Sequence, residues 1–245
     1  MSEVIIGRNA VIEALRGGRE IEKLTIAKGA EGSVKQIVAK AKDRKIPIYY
    51  SDKSRMDKTA SGGTHQGVIA IVSDYEYCTV DDIMALAAER DEKPFVIILD
   101  GLEDPHNLGA IMRTAECAGV HGIIIPKRRS VSVNETVAKT SAGASEYMLC
   151  ARVTNIGREI DRLKEKGLWI GAVDMGDTFY YDQDLTGGIG LVIGGEGSGV
   201  SRLVREKCDF VVSIPMKGRI TSLNASNAAS IMMYEVVRQR LNGWK

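Results

Sequence analysis

The sequence predicts an α/β protein: a doubly wound, mostly parallel sheet in its larger C-terminal part, preceded by a small α/β unit. Three observations carry that expectation. Apolar runs of strand length alternate with amphipathic stretches from residue 93 to the end. Runs such as FVIILD (95–100) are continuously apolar, as expected of parallel strands covered on both faces. Several amphipathic stretches end in glycine, the residue that closes a helix in the left-handed conformation.

Residues 1–75 contain VIEAL, which reads as helical, and KLTIA (23–27), a short strand. In SVKQIVAKAKDR (33–44), Val34, Ile37, Val38 and Ala41 fall at i, i+3, i+4 and i+7, one face of a helix. IPIYY (46–50) and GVIAIVS (67–73) read as strands. This segment carries a net charge of +4, and residues 76–92 carry −5. The acidic stretch is expected to be a linker helix between two domains.

Residues 93–245 alternate more regularly. FVIILD is followed by a helix over 108–119 closed by Gly119, a strand GIIIP (122–126), and a helix over 133–143. Tyr147–Cys150 is expected to be a short strand, and IGREIDRLKEKG (156–167) an amphipathic helix with a closing Gly. LWIGAVD (168–174), GLVIGG (190–195) and FVVSIP (210–215) are further strands, and a final helix runs from about Leu223 to Leu241.

Composition excludes several classes. The formal charge of +1 is not that of a tail-like or histone-like nucleic-acid binder, and 44% hydrophobic with 27% charged residues excludes disorder. Cys78, Cys117, Cys150 and Cys208 are too widely spaced for a zinc or CxxC motif, which suggests a reducing compartment. The opening residues have no apolar core of the signal-peptide kind, and no run reaches the roughly 18–20 residues that span a bilayer. A cytoplasmic protein without a membrane partner is expected.

In an open parallel sheet, ligands bind beyond the carboxyl ends of the strands. Three loops lie there: 100–116, 194–204 and 214–230. In the first, Asn107 stands where a helix N-cap would, and Arg113 follows just off the apolar face formed by Leu108, Ile111, Met112 and Ala115. Arg113 serves either a structural carboxylate or an anion. The second, GGEGSG, is no P-loop or GxGxxG; it presents Glu196 among glycines whose backbone could approach a ligand. The third clusters Ser222, Asn224, Ser226 and Asn227 at the start of a helix, more polar groups than one cap requires. Exposed N–H groups there would suit an adenosine or a carboxylate. No Ser-His-Asp order, HExxH or hydride-cofactor fingerprint is present, and three His are too few for a metal site. Group transfer from an already activated donor fits best.

These loops resemble, in order, the three motifs of the SpoU (TrmH) family of RNA ribose 2′-O-methyltransferases, members of the SPOUT class. The motifs read N-x5-R (Asn107, Arg113), GGEGSGV with Glu196, and IPM…SLNAS with Ser222, Leu223 and Asn224. GRNAVIEAL near the start and HQGV (65–68) resemble the family's substrate-binding module, which is similar to ribosomal protein L30. Together the halves resemble the RlmB-type 23S rRNA guanosine-2′-O-methyltransferases. The resemblance implies an L30-like RNA-binding domain (1–75), an acidic linker (76–92) and a SpoU-type domain (93–245) with a deep trefoil knot. It implies S-adenosyl-L-methionine as cofactor, no metal, and a homodimer whose active sites draw on both subunits.

By motif position, the resemblance makes Asn107, Arg113, Glu196, Ser222 and Asn224 the catalytic and substrate-phosphate group. Gly194, Ile214 and Leu223 would contact the cofactor, with Gly195, Met216 and Ser226 nearby. The family's proposal of a base at Arg113 conflicts with the guanidinium's permanent protonation, so base and orienting cation are both open. Lys127, Arg128 and Arg129 form a basic loop that is either a solvated turn or a phosphate contact, and Arg8 and His65 are candidate RNA contacts in the small domain. The expected substrate is 23S rRNA or a pre-ribosomal particle. The alternatives are tRNA or another rRNA site, and a non-catalytic RNA-binding or ribosome-assembly factor.

Overall fold

The computed structural model describes residues 3–17, 19, 21–44, 46–72, 75–127, 130–197 and 199–242. The chain forms two compact units, Met1–Glu76 with Val133–Tyr147, and Tyr77–Ser132 with Met148–Lys245.

The first unit contains β1 (Glu3–Ile6), α1 (Arg8–Gly17), β2 (Ile21–Ala27), α2 (Val34–Asp43), β3 (Ile48–Ser51), α3 (Lys53–Thr59) and β4 (Val68–Val72). Its sheet has the order β1-β4-β2-β3, antiparallel except for the β2–β3 pair. The helix face read from the sequence is real: Val34, Ile37 and Ala41 of α2 are buried with Val11, Leu15, Leu24 and Val68. Each large aliphatic side chain buried in this way contributes about 1.5–3 kcal/mol.

The second unit begins with α4 (Val80–Glu89), which lies within the acidic stretch expected to be a linker. Its amphipathic pattern decides its fate, because Val80, Ile83 and Ala87 are buried in the unit's core while the acids face out. Thr79 and Asp82 close its N-terminus as a reciprocal capping box. Then follow β5 (Phe95–Asp100), α5 (Pro105–Cys117) and β6 (Gly122–Pro126). Asp104, not Asn107, caps α5: its side chain accepts from the His106 N–H at 2.9 Å, with Pro105 in the first helical turn.

The next helix, α6 (Glu135–Thr140), is shorter than expected and belongs to the first unit. Ala138 enters that unit's core, Glu146 pairs with Arg19 at 3.1 Å, and the Tyr147 hydroxyl donates to Glu13 at 2.5 Å. The strand expected at Tyr147–Cys150 accordingly starts at Cys150, after a 3-10 turn over Ala144–Glu146.

The remainder is β7 (Cys150–Val153), α7 (Ile156–Glu165), β8 (Trp169–Val173), β9 (Ile189–Gly194), α8 (Arg202–Arg205), β10 (Phe210–Val212) and α9 (Ala225–Asn242). The six strands form a wholly parallel sheet in the order β10-β8-β9-β5-β6-β7. The chain runs outward from β5 to β7, then returns on the other side of β5. The order therefore reverses between β5 and β9, whose carboxyl ends are paired Asp100 to Gly194.

His121 ties the start of this sheet together. Its Nδ1 accepts from the Phe95 N–H at 3.0 Å, so its Nε2 carries the proton and donates to Glu92 at 3.0 Å. Burial pushes its pKa below the ordinary 6.5, with Glu92 pulling partly the other way. A depressed histidine destabilises the fold once the unfolded chain binds the proton. Its stabilising contribution is present above pH 6.5 and lost as pH falls from there toward the folded value. Urea melts between pH 5 and 8 should show that slope, and His121→Gln should flatten it.

Candidate active site

The switch between β5 and β9 is where the site assembles. Gly195 N–H donates to the Asp100 carbonyl at 2.9 Å, and the Ser201 N–H donates to Asp100 Oδ2 at 2.8 Å. Asp100 thus fastens both ends of the glycine-rich loop. Sequence reasoning did not select it, although an acid at the carboxyl end of a buried strand was a usable signal.

The loop's glycines serve a closer purpose than ligand approach. A Cβ on Gly194 would lie 2.0 Å from the Gly199 carbonyl carbon, and one on Gly195 would lie 2.4 Å from the Gly101 oxygen. Backbone passes directly over backbone there.

Glu196 follows these glycines in the chain and is held by two amides. Asn107 Nδ2 donates to Glu196 Oε1 at 2.7 Å, and Asn224 Nδ2 donates to the same oxygen at 2.9 Å. Asn107 is buried in the first turn of α5, where its side chain points to the carboxylate instead of capping. Asn224 works in both directions. Its Oδ1 accepts from the Ser226 N–H at 3.0 Å and the Ser226 Oγ at 2.6 Å, capping α9, which leaves its Nδ2 free to donate. One residue from each of the three loops therefore meets at one carboxylate oxygen. Glu196 is exposed, and its Oε2 has no hydrogen-bond partner among the described residues, which leaves it available to a cation or hydroxyl.

Behind this cluster α5 and α9 are joined by small hydroxyls. Ser230 Oγ donates to the Ser226 carbonyl at 2.8 Å and lies 3.2 Å from Thr114 Oγ1. Ser230 thus bridges the two helices, whereas Asn227 is exposed and takes no part in that contact.

Not every predicted residue joins the cluster. Arg113 is exposed and makes no hydrogen bond or ion pair among the described residues. It lies six positions beyond Asn107, about 9 Å along the helix and two-thirds of a rotation away. Ser222 is exposed, Ile214 half-buried, and Met216 and Leu223 are 38% and 39% exposed. Lys127 is exposed without a side-chain partner among the described residues, and Arg128 and Arg129 lie outside them.

In the first unit, Arg8 Nε donates to the Gln66 carbonyl at 2.9 Å. His65 is buried at 3% exposure, with Nδ1 accepting from the Gly67 N–H and Nε2 donating to Asp57, both at 2.9 Å. Both ring nitrogens are occupied, so His65 holds its turn and has no atom to offer RNA.

Residues 214–223 make no backbone hydrogen bond among the described residues. Ten consecutive residues with open C=O groups, all but Pro215 with an open N–H as well, and including the half-exposed Met216 and Leu223, form a surface suited to a flat heterocycle bearing polar edges. The residues present therefore fit an adenosine-bearing cofactor. Among the described residues, no group of three or more His, Cys, Asp or Glu is arranged to hold a metal ion, and no helix is long and apolar enough to cross a membrane.

A parallel α/β unit with a polar cluster and open backbone at its switch point has the build of a nucleotide-cofactor enzyme. Residues 94–234 match the SpoU rRNA Methylase family, and residues 4–78 match the RNA 2′-O ribose methyltransferase substrate-binding family. The chain is 48% identical over 240 residues to YacO of Bacillus subtilis (strain 168), whose name places it among TrmH-family tRNA/rRNA methyltransferases; the match covers 97% of this chain and 96% of that one. The SpoU methyltransferase AviRb of Streptomyces viridochromogenes, in complex with AdoMet, superposes with a TM-score of 0.84 at 25% identity, covering 99% of this chain and 92% of that one. An AdoMet-bound rRNA methyltransferase of Sinorhizobium meliloti gives 0.79 at 25% identity, covering 97% and 87%. The chain belongs to the SpoU (TrmH) family and is an S-adenosylmethionine-dependent RNA methyltransferase.

Proposed function

We propose that the protein methylates the 2′-hydroxyl of one guanosine ribose in 23S ribosomal RNA, free or in a pre-ribosomal particle, as a cytoplasmic homodimer. The observation that carries this reading is the convergence of Asn107, Glu196 and Asn224 on one oxygen beside the open backbone of 214–223.

Bound S-adenosylmethionine supplies a methyl group already activated by its sulfonium. The backbone of Gly194, Ile214 and Leu223 would hold the adenosine, with Gly195, Met216 and Ser226 shaping its surroundings. The chain's remaining task is to align the ribose hydroxyl and manage its proton. Glu196, fixed by two amides, presents Oε2 to a guanidinium, and Ser222 is exposed toward substrate phosphate. Arg113 on the same chain makes no hydrogen bond or ion pair with Glu196, so the guanidinium is assigned to the Arg113 of a second copy. Exposed Ile231, Tyr234 and Leu241 share one stripe of α9 and support a helix-mediated dimer. The knotted connection expected of the family belongs to this reading.

The two-unit organisation supports rRNA as substrate. The first unit, with Arg8 at its surface, matches a substrate-binding family, and the Sinorhizobium meliloti rRNA enzyme aligns over nearly the whole chain. Division into an RNA-binding 1–75, a linker 76–92 and a catalytic 93–245 belongs to this reading, with the helix of the linker packed into the catalytic core.

Labelled methyl transfer to transcribed 23S rRNA, 16S rRNA and tRNA in parallel tests it. The expected result is one mapped 2′-O-methylguanosine in 23S rRNA. Incorporation confined to tRNA would overturn the substrate assignment, and absence of incorporation together with absence of cofactor binding would overturn the activity.

A further inference from the structure

A cleft of about 890 Å³ runs along the outer edge of the parallel sheet, beside β7 and the start of α7. Its wall is basic: Lys127, Arg152, Arg158 and Arg162 line it, against the single acid Glu159. Glu159 is already engaged by Arg162 at 2.9 Å, and the nearby Asp81 is shared by Arg162 and Lys166. Lys127 and Arg158 are exposed, and their charged ends have no partner among the described residues.

Arg152 is the most telling. Its guanidinium lies 4.9 Å from the centroid of the Tyr77 ring, and its Nη2 donates to the Lys127 carbonyl at 3.0 Å. Its Nε is buried and has no hydrogen-bond partner, and no carboxylate pairs with it among the described residues. A cation held in place by a ring and a carbonyl, and neutralised by no carboxylate among the described residues, is prepared for an anion. The N-terminus of α7, a helix of 10 residues capped by Asn155, adds its positive end to the same cleft.

We propose that this cleft binds the phosphodiester backbone of the substrate RNA, at a site separate from the methyl-transfer cluster. The proposal rests on the RNA-methyltransferase activity above. Its placement fits a polynucleotide better than a free anion. Lys127 directly follows β6, whose neighbour β5 ends at Asp100, so the cleft opens at the same end of the sheet as Glu196. Two strand spacings separate the edge strand from β5, roughly 10 Å. A chain with one ribose at Glu196 can lay adjoining phosphates against Lys127, Arg152 and Arg158, with Tyr77 closing the far side.

The test is the salt dependence of RNA binding by the full-length protein, read with transcribed 23S rRNA, 16S rRNA and tRNA. Each phosphate contact contributes about 0.7–0.9 to the slope of log affinity against log salt, according to whether the strand is single or duplex. Lys127→Ala/Arg158→Ala should lower that slope by about two and weaken RNA binding about tenfold at 200 mM salt, with S-adenosylmethionine affinity unchanged. Both residues are exposed, so folding is retained, and Arg158→Lys should keep most of the slope. RNA affinity within twofold and an unchanged slope in the double variant would overturn the cleft while leaving the enzyme reading intact. Failure of the unaltered protein to bind any of the three RNAs would overturn both.

Discussion

Arg113→Ala should lower methyl transfer by about 10²–10³-fold or more while leaving the fold and cofactor binding unchanged, as measured by single-turnover transfer, thermal unfolding and cofactor titration. The fold is spared because Arg113 is exposed and makes no hydrogen bond or ion pair among the described residues. Alanine at an exposed helix position alters stability by no more than about 0.5 kcal/mol. The activity falls because a developing alkoxide, or the phosphate beside it, loses its cation in a site whose other members are amides and one carboxylate. Arg113→Lys separates the two roles open to this side chain. A lysine that replaces only a positive charge gives partial activity that is level between pH 6 and 9. A lysine acting as base gives activity that climbs with pH toward its ordinary value of about 10.4. The permanent protonation of arginine favours the first outcome. Activity equal to that of the unaltered protein in Arg113→Ala would remove Arg113 from the site. Mixing Arg113→Ala with a Glu196→Ala variant extends the test to the shared site. Recovery of activity in the mixed dimers is expected if Arg113 and Glu196 of one site come from different copies.

Much of this was legible in the sequence because burial leaves a mark there. FVIILD, GIIIP and GLVIGG are covered on both faces, so they carry no polar alternation and read directly as parallel strands. Gly119 and Gly167 adopt φ of +71° and +86°, the left-handed closures their positions suggest. The clustering of three loops followed from the carboxyl-end rule alone. Which atoms meet did not follow. Asn107 and Asp104 are both plausible caps by residue type, and only the tertiary position of Glu196 decides which side chain is free. The return of 133–147 to the first unit was equally hidden, because Ala138 and Tyr147 look the same in sequence whichever core receives them. The edge strand β1, Glu3–Ile6, was too short to stand out as a strand.

The glycine-rich loop was the feature most open to misreading, and Gly194→Ala tests what it does. Glycine near a ligand site suggests backbone opened for the ligand, yet Gly194 has no free space at all. Its added methyl would lie 2.0 Å from the Gly199 carbonyl carbon, 2.2 Å from its oxygen and 2.3 Å from the Val200 nitrogen. All three are backbone atoms, so no rotamer change relieves the clash. Either the end of β9 leaves its pairing with Asp100, or the 199–200 backbone withdraws and carries Glu196 with it. The expected result is a loss of about 3 kcal/mol or more in urea unfolding, together with lost S-adenosylmethionine binding. Two neighbours calibrate it. Gly197 has φ +81° but nothing within 4 Å, so Gly197→Ala should cost only the left-handed strain of about 1–2 kcal/mol. Gly187 has neither crowding nor positive φ, so Gly187→Ala should be neutral or slightly stabilising. A Gly194→Ala protein that unfolds and binds cofactor like the unaltered one would mean that the backbone crossing does not hold the loop.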